Sequence, residues 1–156
     1  MDINRLRPIV KKDIPALKSV LKTIELFPPN MLEGMLADYL DNPKSQDLWF
    51  TATDENDIPI SLGYCAPEKL TVGTYNLYAI GVKSDIQGKG IGSKMIQYIE
   101  DELIKKEKRV LIIDTSGKKD FARTRKFYKN LDYNQEAVIR DFWDEGDDKV
   151  VFRKRL

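Results

Sequence analysis

Apolar side chains recur along this 156-residue chain with two periods, and the switches between them mark out its elements. Leu6 to Val10 reads as a first strand. Ile14, Leu17, Val20, Leu21 and Ile24 then follow helical spacing behind Asp13, a residue able to cap a helix start. Pro28-Pro29 interrupts that run. Met31, Leu32, Met35, Leu36, Tyr39 and Leu40 predict a second amphipathic helix, which Asn42-Pro43 ends. Leu48 to Thr53 and Ile58 to Ala66 predict a hairpin across Asp54-Glu55-Asn56-Asp57. A strand over about Thr74 to Lys83 precedes a helix-like run over about Ser93 to Lys106, and helical spacing puts Ile91, Met95, Ile96, Ile99 and Leu103 on one face. Val110 to Thr115 is short and nearly all apolar, as a buried central strand should be. Phe121 to Asn130 reads as helix, with Tyr133 to Arg140 and Lys149 to Arg155 as closing strands. The order β-α-α-β-β-β-α-β-α-β-β predicts one α/β sheet domain over residues 1–156.

Charge narrows the partners. Lys+Arg 26 against Asp+Glu 25 gives a formal charge of +1, which offers no case for nucleic acid or a membrane surface. The runs Lys105 to Arg109 and Arg153-Lys154-Arg155 read as ordinary solvated charge. No apolar run approaches a transmembrane length, and the polar start from Met1 to Arg7 is no signal peptide. One cysteine, Cys65, permits no internal disulfide, so a cytoplasmic address is expected. Cys65 lies in an apolar strand and reads as a small buried hydrophobe rather than a nucleophile. The chain has no histidine, which excludes Ser-His-Asp and Cys-His mechanisms, a histidine base and the usual zinc ligand sets, and no metal is expected.

The candidate chemistry starts at Gln87-Gly88-Lys89-Gly90-Ile91-Gly92, between a strand-like and a helix-like run. Glycine accepts φ > 0 and carries no side chain, so several backbone N–H groups can face one concavity. The helix start adds unpaired N–H groups and the positive end of its dipole. Together these make a phosphate or pyrophosphate site, with a flexible surface turn as the plainer alternative. A dinucleotide fingerprint needs G-x-G-x-x-G, whereas Gly88, Gly90 and Gly92 run G-x-G-x-G. A Walker A loop fails as well, because Gly92-Ser93-Lys94 puts the lysine out of place. What fits is [Q/R]-x-x-G-x-[G/A], matched by Gln87, Gly90 and Gly92. In that motif the sequence resembles the GNAT acetyltransferases, and the element order extends the resemblance through nearly the whole chain.

The resemblance implies a mixed, mostly antiparallel sheet of six to seven strands, with a splayed central pair and flanking helices. It implies acetyl-coenzyme A as co-substrate, its pyrophosphate held by Gln87, Gly88, Lys89, Gly90, Ile91, Gly92 and Ser93. Gly81, inside Ala79-Ile80-Gly81-Val82, marks a bulge or a close backbone approach. In the family that strand splays from its neighbour, so Ile80 and Val82 would offer main-chain groups to the pantetheine arm. A glycine kept only for packing is the alternative. Phe127-Tyr128, followed by Leu131-Asp132-Tyr133, resembles the family's F-Y-x-x-x-G-[FY] segment, with Asp132 where glycine is usual. The family's tyrosine there protonates the departing thiolate, and a phenol of pKa about 10 holds its proton at neutral pH. A core aromatic is the alternative for Tyr128. Thr115, Ser116 and Arg125 would lie beside the same cleft.

The acceptor side is less legible. An amine of pKa about 10 costs about 4 kcal/mol to hold neutral at pH 7, so a base has work to do. Glu68, in Ala66-Pro67-Glu68, is the first candidate, with a merely solvated glutamate as alternative. Asn76 and Tyr78 are expected to help bind the acceptor. Asp141-Phe142-Trp143-Asp144-Glu145-Gly146-Asp147-Asp148 holds five acids and two aromatics; it reads as a lid carrying Trp143 over a cationic acceptor, or as a solvated hairpin loop. The reading is an N-acetyltransferase acting on a small-molecule or peptide amine by direct attack, with a homodimer as one expected state. A non-catalytic acyl-CoA-binding module is its competitor.

Overall fold

The computed structural model describes residues 5–156, so Met1 to Asn4 of the charged start lie outside the described residues. The elements are β1 (Arg5–Pro8), α1 (Ile14–Leu21), α2 (Leu32–Asp41), β2 (Leu48–Thr53), β3 (Ser61–Pro67), β4 (Thr74–Val82), α3 (Ile91–Lys105), β5 (Val110–Ser116), α4 (Ala122–Asn130), β6 (Asn134–Asp144) and β7 (Asp147–Arg155). The strands hydrogen-bond in the order β1-β2-β3-β4-β5-β7-β6, a mixed sheet flanked by helices. The pairs β1–β2, β2–β3, β5–β7 and β6–β7 are antiparallel, and β4–β5 is parallel. The order and number of elements are those expected. No helix among the described residues is long and apolar enough to cross a membrane.

Within this sheet domain the chain groups into two compact units. The first comprises the chain up to Ala66 together with Tyr78–Asp101. Helical spacing on α1 and α2 buries Leu17, Leu21, Leu32 and Leu36 against Ile9, Trp49, Leu62 and Ala79. The predicted cap at Asp13 takes another form. Its carboxylate makes no side-chain cap of α1. It accepts the Val10 N–H at 2.8 Å and receives the Arg7 guanidinium bidentately, at 2.7 and 2.9 Å. A buried guanidinium is a stronger claimant on that carboxylate than neutral helix amides.

Phe50 is fully buried in this unit, and Gly63 opposite it on β3 gives its ring the room. A Cβ at Gly63 would stand 2.3 Å from Phe50 Cζ. Gly63→Ala is therefore expected to cost about 1–3 kcal/mol through overpacking. A urea midpoint equal to that of the natural protein would overturn this account.

The second unit comprises Pro67–Leu77 and Glu102–Leu156. Here β4 and β5 pair from Thr74↔Val110 to Leu77↔Ile113, and there the ladder ends. β5 and β7 pair along the whole of β5, from Val110↔Arg155 to Ser116↔Lys149. All eleven residues of β6 are exposed, as an outer strand allows. Its pairing with β7 breaks between Gln135 and Ala137, and again between Ile139 and Asp144.

Candidate functional site

In the first unit the chain leaves β4 at Val82, makes a short 3-10 turn over Ser84–Ile86, and reaches α3 through Gln87 to Gly90. Gly88 and Gly90 have φ of +77° and +80°, in the left-handed region that favours glycine. At either position an added Cβ would meet nothing within 4 Å, so the cradle is open. Gly92 behaves differently from the expectation that set it beside them, since it lies in the first turn of α3 with Ile91 and Ser93. What α3 offers at that point is its unpaired N–H groups and its dipole. Ile91 is buried and pins the helix start, while Lys89 is exposed. Gln87 donates from Nε2 to the Val82 carbonyl at 2.9 Å, closing the loop back onto β4. An open cradle, left-handed glycines and a helix start fit a pyrophosphate.

Gly81 has a spatial reason to be glycine. A Cβ there would stand 2.4 Å from Ile24 Cδ1, so a side chain closely approaches this backbone. Ile24 also lines an open groove of about 420 Å³ formed by residues 21 and 24–29, with Glu25 its charged side chain. Ile80 and Val82 are half-buried to either side of Gly81. Tyr78 is half-exposed and stacks on Tyr64 at 5.6 Å, which stacks on Trp49 at 4.1 Å.

In the second unit the structure joins residues that the sequence left separate. Asn76 Nδ2 donates to Glu68 Oε1 at 2.8 Å and to Asp114 Oδ2 at 3.1 Å. Lys149 Nζ stands 3.1 Å from the same Asp114 oxygen and 4.3 Å from the centre of the Phe142 ring. Asn76, expected as an acceptor contact, is only 2% exposed and sits inside this chain of polar groups. Asp114 and Lys149 are the members that sequence reasoning missed. The available signal was an aspartate within the apolar run Val110 to Thr115.

Ser116, Arg125, Thr115 and Trp143 are also brought together. The Ser116 hydroxyl bonds Asp147, and Arg125 Nη1 donates to the carbonyls of Ser116 and Lys118, at 2.8 Å each. Trp143 Nε1 donates to the Thr115 carbonyl at 3.4 Å, and its ring meets Phe142 edge-on at 4.8 Å. The acidic segment forms the end of the β6–β7 hairpin, with residues 141–146 exposed. Its carboxylates build the hairpin tip. Asp141 accepts the Gly146 N–H at 2.9 Å, Asp148 accepts the Asp141 N–H at 3.0 Å, and Asp144 accepts the Glu145 N–H at 2.7 Å.

Tyr128, on α4, is 4% exposed and packs with Phe127, Tyr133 and Phe152 at ring separations of 5.4, 6.1 and 5.6 Å. Burial pushes its phenol well above the ordinary tyrosine value, so Oη keeps its proton. Among the described residues, no three potential metal ligands cluster.

Comparison with known proteins agrees with this architecture. A family model described as an acetyltransferase (GNAT) domain matches residues 45–135. A GNAT-family protein from Desulfovibrio desulfuricans superposes with a TM-score of 0.88 at 25% identity, covering 97% of this chain and 98% of that one. The ribosomal-protein-S18-alanine N-acetyltransferase from Escherichia coli gives a TM-score of 0.77 at 18% identity, over 97% and 92% of the two chains. An aminoglycoside 6'-N-acetyltransferase complexed with coenzyme A gives 0.69 at 14% identity, over 97% and 96%. Against curated proteins the sequence has no significant match.

Proposed function

The chain belongs to the GNAT acetyltransferase family, and from that premise we propose that it transfers an acetyl group from acetyl-coenzyme A to a primary amine by direct attack. The observation that carries the donor is the Gly88–Gly90 turn opening onto the start of α3. Gln87 to Ser93 would hold the pyrophosphate, and main-chain groups of Ile80 and Val82 would line the arm. Bound there, acetyl-coenzyme A supplies an acetyl group activated as a thioester. The coenzyme A carried by a structural neighbour of the same fold supports this reading of the turn.

The chain's own residues then handle protons. Tyr128 Oη, held protonated by burial, is the donor for the departing sulfur. Glu68, half-buried and held by Asn76, is the base that takes a proton from the amine. Tyr78 and Trp143 offer aromatic faces to a cationic acceptor. Neighbours named for a ribosomal protein alanine, for spermidine/spermine and for a bound peptide support an acceptor that is either a small amine or a peptide terminus. The working address is cytoplasmic, with a homodimer as one expected state.

The test is an acetyl-coenzyme A turnover screen over a panel of amines, read by thiol release, beside a titration of donor binding. Gly90→Val puts a branched side chain where φ is +80°, and is expected to weaken donor binding at least tenfold while α3 stays folded. Unchanged donor affinity in that variant would remove the pyrophosphate assignment. Donor binding with no acetyl transfer to any amine would instead favour the acyl-CoA-binding module.

A further inference from the structure

Among the described residues, two buried oxygens of the second unit, Asn76 Oδ1 and Asp114 Oδ1, find no hydrogen-bond partner. Both belong to the polar chain that runs from Glu68 through Asn76 and Asp114 to Lys149. Asp114 uses its two oxygens unequally: Oδ2 receives both Asn76 Nδ2 and Lys149 Nζ, while Oδ1 receives no donor from the described residues. Asn76 lies in the interior of β4, between the buried Tyr75 and Leu77. An aliphatic residue there would fill the space without stranding an amide oxygen, so packing does not account for asparagine. What asparagine does provide is one nitrogen shared by two carboxylates on different elements, Glu68 after β3 and Asp114 on β5.

Resting on the acetyltransferase reading, we propose that Asn76 is a positioning residue for proton transfer, fixed by Asp114 and Lys149 and holding the Glu68 carboxylate where it takes the acceptor amine's proton. In that step an N–H bond of the acceptor ammonium breaks and its electron pair stays on nitrogen. A Glu68 carboxylate oxygen gains the proton and later releases it to water, which reaches this half-buried side chain. Asp114, paired with Lys149, accepts from the Asn76 amide and orients it. The charged groups linked to Glu68 through Asn76 are Asp114 on β5 and, paired with it, Lys149 on β7.

The experiment reads two variants with opposite expected signs. Asn76→Leu removes the shared donor, and a carboxylate that loses a donor becomes more basic. The acid limb of kcat/KM for the amine should then move to higher pH, with kcat/KM down at least tenfold and donor affinity unchanged. Asp114→Asn removes a negative neighbour, so the same limb should move to lower pH. Carbon-13 NMR titration of the Glu68 carboxyl, on the protein without donor or acceptor, should move in the same two directions. If both limb and carboxyl titration stay in place while only the thermal midpoint changes, Asn76 is structural and the proposal is overturned. Should Asn76→Leu fail to fold, Asp114→Asn decides alone by the same criterion. A natural protein inactive on every amine is the failure of the acetyltransferase reading instead. The NMR titration then still tells whether Asn76 couples the two carboxylates.

Discussion

Asp13→Ala is expected to lower the unfolding free energy by about 3–5 kcal/mol, because it strands a buried guanidinium. The side chains of Arg7 and Asp13 are only 10% and 3% exposed, and their two-point contact satisfies both ends. Alanine would leave Arg7 with a single carboxylate, Asp57 at 3.0 Å on the exposed side, beside the Pro8 carbonyl at 3.0 Å, and would leave the Val10 N–H without its acceptor. Burial works against the ionised form of Asp13, but the Arg7 and Val10 hydrogen bonds outweigh it and hold the carboxyl below its ordinary value. Asp57, bonded by Arg5 and Arg7, is likewise held below the carboxylate range. Both folded-state values are depressed, so this stability is fully present above the unfolded carboxyl value near 4 and is lost as pH falls below it. Urea unfolding of the natural protein should weaken steeply on acidification through that window, and the Asp13→Ala variant should weaken less. A loss under 1 kcal/mol at pH 7 would mean that Asp57 and the Pro8 carbonyl suffice for Arg7.

Tyr128→Phe carries the largest expected effect on turnover. Phenylalanine keeps the ring packing against Tyr133 and Phe152 and removes only the oxygen, so folding should be almost untouched. If Tyr128 is the acid, kcat should fall about 10²–10⁴-fold with donor affinity unchanged. The sign of its shift also makes an expectation. A raised phenol stays protonated longer as pH climbs, so the alkaline limb of kcat due to Tyr128 belongs above the ordinary value of about 10. Unchanged turnover in Tyr128→Phe would leave the residue as a core aromatic and move the acid elsewhere.

Local patterns carried most of the architecture. The apolar face of α3 and the run of β5 depend on residues near in sequence, and both elements appear within about two residues of their expected limits. The glycine turn was equally legible, because φ > 0 at Gly88 and Gly90 is a local demand. The hairpin tip was not. Aspartates are poor strand formers by propensity, and the irregular tip of the hairpin is held by hydrogen bonds that Asp141 and Asp148 accept from backbone N–H groups across it. Asp114 was hidden for a similar reason, since its partners arrive from β4 and β7, far away in sequence. The role of Asp13 depended on Arg7, whose guanidinium no helix-start rule takes into account.

Cys65, the chain's one cysteine, is fully buried in β3, and burial pushes its thiol up, away from the reactive thiolate. A sulfhydryl so protected is silent toward aromatic disulfide reagents while the fold holds. Colour developed during turnover therefore comes from released coenzyme alone, with no protein background to subtract. Left without substrates, the same reagent becomes a clock: each molecule takes it up only when β3 opens.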